Sequence, residues 1–401
     1  MTAGEPVDLL VVGAGPAGCG AAIAAARRGR SVILVEKAAI GRDKICGDGL
    51  TTSALRRLES LGVDVPALPS TQQVSGVCVR GPKGHEVRFP LPTDGWFAAV
   101  TMRRELDAAL ARAATGAGVD LREHTPIEHI ELREGLGARV QAGGQTIDAR
   151  AVIAADGMWS PTRRLLGAND PGYRGDWHAF RQYLTGWEGD ERELFISFDA
   201  AILPGYFWIF PLAGGGLNIG YGIQRGGTHA IRDMGRLWTE LLERPEIARR
   251  IGGASPAEPH RAWPIPCRVD STPAAVGPVL FAGDAVAACD VMTGEGIGQA
   301  LQTGELAAEV LHRWWHDPVA AGAQYERQLR HELVPDHTMS AWLVSALQHR
   351  KGVRGALRVA GTNEWTRRNF ARWLFEDSPR GIALRPSLWG RGALSGTGAY
   401  R

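Results

Sequence analysis

The sequence predicts an α/β protein, a Rossmann-type dinucleotide-binding core with an antiparallel-sheet domain inserted into it. Three observations carry this expectation. A strand, a glycine turn and an Ala-rich helix occupy residues 8–28; buried apolar runs return far downstream at 151–155 and 279–282; and between 173 and 263 the character changes to aromatic-rich strands.

The apolar run at 8–12 reads as a parallel strand buried on both faces. Gly13-x-Gly15-x-x-Gly18 follows, then a helix to Arg28 with Gly29 as its stop. A second buried strand at 31–36 completes a β-α-β unit. Residues 9–26 carry no charge, and a hydropathy window alone would mark them as a membrane span. Gly13, Gly15, Pro16 and Gly18 interrupt that stretch, and Val/Leu gives way to Ala at the break, so strand–turn–helix is expected instead. No basic stretch or small-residue cleavage site precedes it, so a cytoplasmic protein is expected.

After a Gly/Lys/Cys loop at 41–49, a short helix is expected over 53–61 and an antiparallel hairpin over 74–80 and 86–89. Residues 103–114 read as a helix, 119–121 as a short strand, and a hairpin turns near Gly143 and Gly144. Strands are expected at 194–198, 206–211 and 217–223, and a long helix over 296–315. The dinucleotide domain is thus read as discontinuous, at 1–73, 98–172 and 264–340. The substrate domain comprises 74–97 and 173–263, and a helical basic segment covers 341–401. That last segment holds eleven Lys/Arg against three acids, interleaved with Trp342, Trp365, Phe370, Trp373 and Phe375. It reads either as a solvated face over the core, or as a lid or a surface for anionic lipid headgroups and peripheral membrane contact.

Composition sets the remaining bounds. An apolar content of 44% and a charged content of 22% are ordinary for a globular protein. A formal charge of +2 provides no footprint for nucleic acid. Cys19, Cys46, Cys78, Cys267 and Cys289 are odd in number and scattered without a C-x-x-C pair, which argues against a disulfide framework and a zinc site; no metal is expected.

The chemistry is carried by the glycine turn. Gly13 permits the tight turn, Gly15 lets backbone approach a pyrophosphate, and Gly18 lets helix and strand pack closely; Ala17 lies on the same first turn. The helix start then offers free N–H groups to phosphate. Glu36, with Lys37 beside it, ends the second strand where an acid accepts from ribose hydroxyls. This fingerprint alone serves NAD or FAD.

Two distant segments decide between them by resemblance. Residues 152–163, with Asp156-Gly157 and Ser160, resemble the Asp-Gly motif of flavoprotein hydroxylases and their relatives. Residues 281–285 and 294–297, with Gly283-Asp284 and Gly296-Ile297, resemble their Gly-Asp motif. The resemblance implies FAD on a hydroxylase/glutathione-reductase-like fold, with Asp284 on the flavin-side ribitol, Gly296 and Ile297 near the pyrophosphate and isoalloxazine, and Arg103 reaching the cofactor. Lys44-Ile-Cys46-Gly47-Asp-Gly-Leu, the Tyr206-x-Trp208-x-Phe-Pro string and Trp263-Pro-Ile-Pro266 are similar to the geranylgeranyl reductase family, which includes bacterial menaquinone reductases. Similarity runs over about residues 7–311.

That resemblance implies reduction of isolated C=C bonds in an isoprenoid, on a menaquinone tail or a geranylgeranyl lipid. Cys46 would lie over the flavin, tuning it or donating a proton, against the plainer reading of an inert thiol. Tyr206 and Trp208 would line a hydrophobic tunnel, against core packing. Arg181 reads equally as a pocket cation or a surface salt-bridge partner. The electron donor is left open between NAD(P)H, ferredoxin and another flavoprotein. One departure stands out: the family's Asn-Pro is replaced by Asp290-Val291, which is expected to free the loop facing the flavin. The alternatives are a flavin monooxygenase or halogenase, for which Lys44 is a loose candidate, an electron-transfer flavoprotein, and a prenyl-binding escort protein.

Overall fold

A computed structural model describes residues 6–133 and 137–375. The chain opens with the strand Val7–Val12, the helix α1 (Pro16–Ala26) and the strand Val32–Val35. Helix α2 (Thr52–Ser60) and the hairpin Gly76–Arg80/Glu86–Pro90 precede α3 (Arg103–Gly116). The strand Asp120–Arg122, the strands Ile127–Arg133 and Gly137–Ala142, and the long strand Gln145–Ala154 lead to α4 (Pro161–Leu165). The strands Trp177–Thr185, Glu193–Ser197, Phe207–Leu212 and Gly216–Gln224 follow. Then come α5 (Met234–Leu242), α6 (Pro245–Ile251) and the strands Arg261–Ile265 and Val279–Phe281. The described chain closes with α7 (Ile297–Arg313), α8 (Pro318–Leu347), α9 (Arg350–Ala360) and α10 (Glu364–Phe375).

Five strands run parallel in the order Asp120–Arg122, Val32–Val35, Val7–Val12, Gln145–Ala154, Val279–Phe281. The central strands are rich in Val, Leu, Ile and Ala because both of their faces are buried: Leu9 through Val12 and Ala151 through Ala154 are all buried. The 9–26 stretch is strand, turn and helix. Among the described residues no helix is long and apolar enough to cross a membrane.

The second sheet is antiparallel except at one pair. The hairpin joins it through Gly76–Arg80, which lies parallel to Glu193–Ser197, so residues 76–90 and 177–224 build one sheet despite their separation in the chain. Two of the expected boundaries cut through elements. The one at 263 falls inside the strand Arg261–Ile265, which pairs with Trp177–Thr185 in spite of Pro264 because it lies at a sheet edge. The one at 340 falls inside α8, which continues through Pro335. The expected run of strands to 263 also contains α5 and α6, whose Met234, Leu237, Trp238, Leu241 and Ile247 pack under the sheet. Their apolar residues at 234, 237, 238 and 241 stand at helical spacing.

The C-terminal helices return to the hairpin. Val353, Leu357, Ala360 and Phe375 join one buried cluster with Val77, Val79, Val87 and Phe89. The expected basic segment is therefore half cover: its apolar face packs on the sheet while Arg354 and Arg358 stay exposed. Its residues 376–401 lie outside the described residues.

Candidate active site

One cavity of about 570 Å³ runs from the glycine turn, along the seam between the two sheets, to a chamber under the C-terminal helices. Its first end is built by backbone. Gly13 sits at φ +98°, and a Cβ there would lie 2.5 Å from the Ala155 carbonyl oxygen. A Cβ on Gly18 would lie 1.8 Å from the Gly13 oxygen, so α1 rests directly on the turn. A Cβ on Gly15 would meet nothing within 4 Å, leaving open space in front of the uncapped start of α1. Ala17 lines the same end.

Glu36 is buried, and its Oε2 accepts the Ala14 N–H at 2.9 Å, which ties strand end to turn. Its Oε1 accepts from Ala38 N at 3.2 Å and has Arg42 at 3.6 Å. Lys37 is exposed at the rim. Gly283 and Asp284 lie across the cavity, where the start of α7, whose Gly298 N–H donates to Glu295 Oε1 at 3.3 Å, brings Gly296 and Ile297 to the wall. Asp284 accepts from Cys289 Sγ at 3.3 Å and has Lys44 Nζ at 3.8 Å. Asp156 lines the cavity with Gly157, but its carboxylate serves its own turn, accepting from Ser160 Oγ at 2.5 Å and Thr162 N at 2.9 Å. Arg103 is buried in a bidentate pair with Asp107 at 2.8 Å. Burial would lower its guanidinium, but Asp107 overrides that and holds it above its ordinary range.

The loop with Lys44, Cys46 and Gly47 bridges the two ends. Burial pushes the Lys44 ammonium down against the pull of Asp284, and its Nζ lies 3.8 Å from the Trp263 ring centroid. Burial first, then Asp48, pushes the Cys46 thiol up, so it keeps its proton at neutral pH. Gly47 packs against Phe210, and Tyr206, Trp208 and Phe210 present one wall to the cavity. The Tyr206 hydroxyl donates to the Thr293 carbonyl, and the Trp208 indole N–H donates to Asn218 Oδ1 at 2.9 Å. Arg181 is fully buried, so it is not the surface salt-bridge partner of the second reading. It lines the cavity, and it pairs with Asp43 at 2.7 Å and with Glu258.

The loop at 290–296 is not freed by the missing proline, contrary to expectation. Asp290 Oδ1 accepts from Met292 N, Thr293 N and Thr293 Oγ1 at 2.7–3.0 Å, and Oδ2 accepts from Ser340 Oγ of α8 at 2.8 Å. A side-chain-capped turn replaces a ring constraint.

One side chain of the site had no sequence reading. Asp48 is fully buried beside Cys46, and its Oδ2 accepts from Tyr183 OH at 2.5 Å and Asn218 Nδ2 at 2.9 Å. The far chamber is roofed by Leu343 and Leu347 of α8, Leu357 of α9, and Phe370, Trp373 and Leu374 of α10, opposite Leu194, Ile196 and Phe198. The sequence read this segment as a solvated face over the core or as a lid, and these apolar residues of it line the chamber.

The donor set fits FAD. The uncapped start of α1, the start of α7 across from it, an open space at Gly15 and an acid at the end of the second strand suit an extended dinucleotide. They also leave the aromatic wall free for a second molecule. The model of the FAD binding domain family matches residues 6–196. The chain is 35% identical over 330 residues to menaquinone reductase of Mycobacterium tuberculosis, covering 78% of each. It is 33% identical over 311 residues to digeranylgeranylglycerophospholipid reductase 2 of Methanopyrus kandleri, covering 76% of each. In fold it matches a geranylgeranyl bacteriochlorophyll reductase-like protein of Thermoplasma acidophilum at TM-score 0.79 and 23% identity, over 95% of this chain and 98% of that one. Identity of this order over more than three quarters of the chain makes it a member of the geranylgeranyl reductase family of FAD-dependent oxidoreductases.

Proposed function

We propose that this protein saturates isolated carbon–carbon double bonds of an isoprenoid chain, on a menaquinone tail or a geranylgeranyl lipid. The observation that carries the reading is the continuity of one cavity from the glycine turn to an apolar chamber roofed by α8–α10. Bound and reduced, FAD supplies the two electrons as hydride. The protein supplies the rest. Tyr206, Trp208 and Phe210 give an alkene a flat wall to lie on, and the roof residues exclude water from it. The Cys46 thiol, protonated at neutral pH, is the proton donor for the second carbon.

Strictly anaerobic incubation of the chemically reduced protein with a polyprenyl substrate tests this. The expected product is heavier by about two mass units for each bond saturated, one hydride and one proton being added, with no oxygen or halogen incorporated. Turnover that requires dioxygen would transfer the protein to the monooxygenase or halogenase reading. That reading has less support: the lysine it would use, Lys44, is occupied by Asp284 and Trp263.

A substrate that lives in a bilayer must be drawn from it, and the exposed side of the roof suits that task. Trp342, Trp365 and Val359 are 59%, 68% and 69% exposed beside Arg350, Lys351, Arg354 and Arg358. The protein should co-sediment with anionic vesicles in preference to neutral ones, and added salt should weaken the preference. Equal partitioning to both would remove the membrane-facing role.

A further inference from the structure

We propose that the Lys44 ammonium recognises the negative charge that FAD gains on two-electron reduction, so that this chain holds the reduced cofactor more tightly than the oxidised one. This rests on the FAD reading of the cavity and not on the isoprenoid substrate.

The cations that line the cavity are not alike. Arg103 and Arg181 are buried, and each is hydrogen-bonded to carboxylates of its own, Asp107 for the first, Asp43 and Glu258 for the second. Lys37 and Arg42 flank Glu36, where water reaches them. Lys44 is the exception, because its side chain is only 18% exposed and its charge is not spent. Nζ lies 3.8 Å from Asp284 Oδ2, beyond a hydrogen bond, and 3.8 Å from the centroid of the Trp263 ring. Among the described residues its three N–H donors make no hydrogen bond. Asp284 is held from its other oxygen by Cys289 Sγ at 3.3 Å, so carboxylate and ring fix the ammonium in place without using its donors. An ammonium withdrawn from water in this way is costly until an acceptor or an anion completes it.

Its position says which anion. Asp284 lies beside Gly296, just ahead of α7. Trp263 belongs to the strand Arg261–Ile265 of the second sheet. Cys46, two residues beyond Lys44, is tied to that same sheet by Asn218 Nδ2, which donates to its carbonyl at 2.8 Å. Lys44 therefore stands at the seam, on the side of the aromatic wall. The fixed charge of a pyrophosphate is met at the other end, by the glycine turn and the start of α1. The charge that meets Lys44 is one that comes and goes. Two electrons from a reductant such as dithionite, with one proton, turn the neutral flavin ring into a monoanion, and that charge leaves again with the hydride. A cation held against the ring's end of the cavity favours the charged form, and it does so before any substrate is present.

The test is an anaerobic, dye-equilibrated redox titration of the full-length, FAD-loaded protein with dithionite and no polyprenyl compound. The dissociation constant of oxidised FAD is measured alongside. Lys44→Met and Lys44→Gln remove the charge, the second keeping a donor for Asp284, and Lys44→Arg keeps the charge. In both neutral variants reduced FAD should weaken about tenfold more than oxidised FAD, which lowers the two-electron midpoint by about 30 mV. Lys44→Arg should stay near the wild-type midpoint. Equal weakening of the two redox forms, with the midpoint unmoved, would overturn the proposal and leave Lys44 an anchor for phosphate or a tie for Asp284. A midpoint that falls as far in Lys44→Arg would overturn it too, since charge would then not be what acts. Loss of both redox forms from both neutral variants would have the same consequence. A wild type that binds no FAD would overturn the cofactor reading and this proposal with it. A wild type with the expected midpoints that saturates no polyprenyl bond would overturn the isoprenoid reading alone.

Discussion

Gly18→Ala protein is expected to fold poorly or to purify without the yellow colour of bound flavin. The added methyl would sit 1.8 Å from the Gly13 carbonyl oxygen, and both partners are backbone, so no side chain can swing aside. The helix α1 must lift from the turn. On its other side it is already in contact with α7, where a Cβ on Gly304 would lie 2.0 Å from the Ala17 oxygen. Overpacking of this kind costs about 1–3 kcal/mol where neighbours can adjust, and more where they cannot. A displacement at the phosphate end should weaken FAD by at least about a hundredfold, roughly 3 kcal/mol. Gly15→Ala provides the contrast. Its methyl meets nothing within 4 Å, so the protein should keep its thermal midpoint and still bind FAD less well, because that space is the one a pyrophosphate needs. Full flavin occupancy in Gly18→Ala, read from visible absorbance, would show that the turn is not the cofactor site.

Trp208→Ala should retain FAD and lose nearly all turnover. The indole is buried in the strand Phe207–Leu212, packed on Gly220, where a Cβ would lie 2.2 Å from the ring. Truncation leaves a cavity and should cost about 3–5 kcal/mol of stability. The functional loss has a second source. The indole N–H holds Asn218 Oδ1, and Asn218 Nδ2 in turn donates to the Cys46 carbonyl at 2.8 Å and to Asp48. With the indole gone, Asn218 is free to rotate and the Cys46–Asp48 loop loses its anchor. Trp208→Phe, which fills most of the space without the N–H, should recover stability better than activity. Loss of flavin from Trp208→Ala would mean that this strand supports the cofactor and not the substrate.

The parts of the site legible in the sequence are the local ones. The glycine turn and Glu36 declare themselves because strand, turn, helix and acid follow one another within thirty residues. Asp156 and Asp284 were readable only as pieces of longer motifs, and the roles of their side chains emerge from Ser160, Thr162 and Cys289 around them. Asp48 stood inside a quoted motif and still said nothing, because its chemistry depends on Tyr183 and Asn218, 135 and 170 residues away. Asp290 was misread for a related reason. Losing a proline removes a constraint that is visible in sequence, while the hydrogen bonds that replace it, one of them from Ser340, are not. The roof lies in the segment read as a solvated face or a lid, but its partner, the hairpin at 76–90, lies more than 250 residues earlier.

The bond from Ser340 to Asp290 ties the roof to the cofactor end of the cavity. Asp290 heads the turn that leads into Gly296 and the start of α7, and Ser340 lies seven residues before the end of α8. A shift of that turn is thus shared by the helix that begins the roof. Thermodynamic reciprocity then sets a condition on the two ligands: whatever factor an occupant of the chamber imposes on cofactor affinity, the cofactor imposes on the occupant. Redox state belongs to the same account. An occupant moves the midpoint potential only to the extent that it binds the oxidised and reduced forms unequally, and it can do so without touching the flavin.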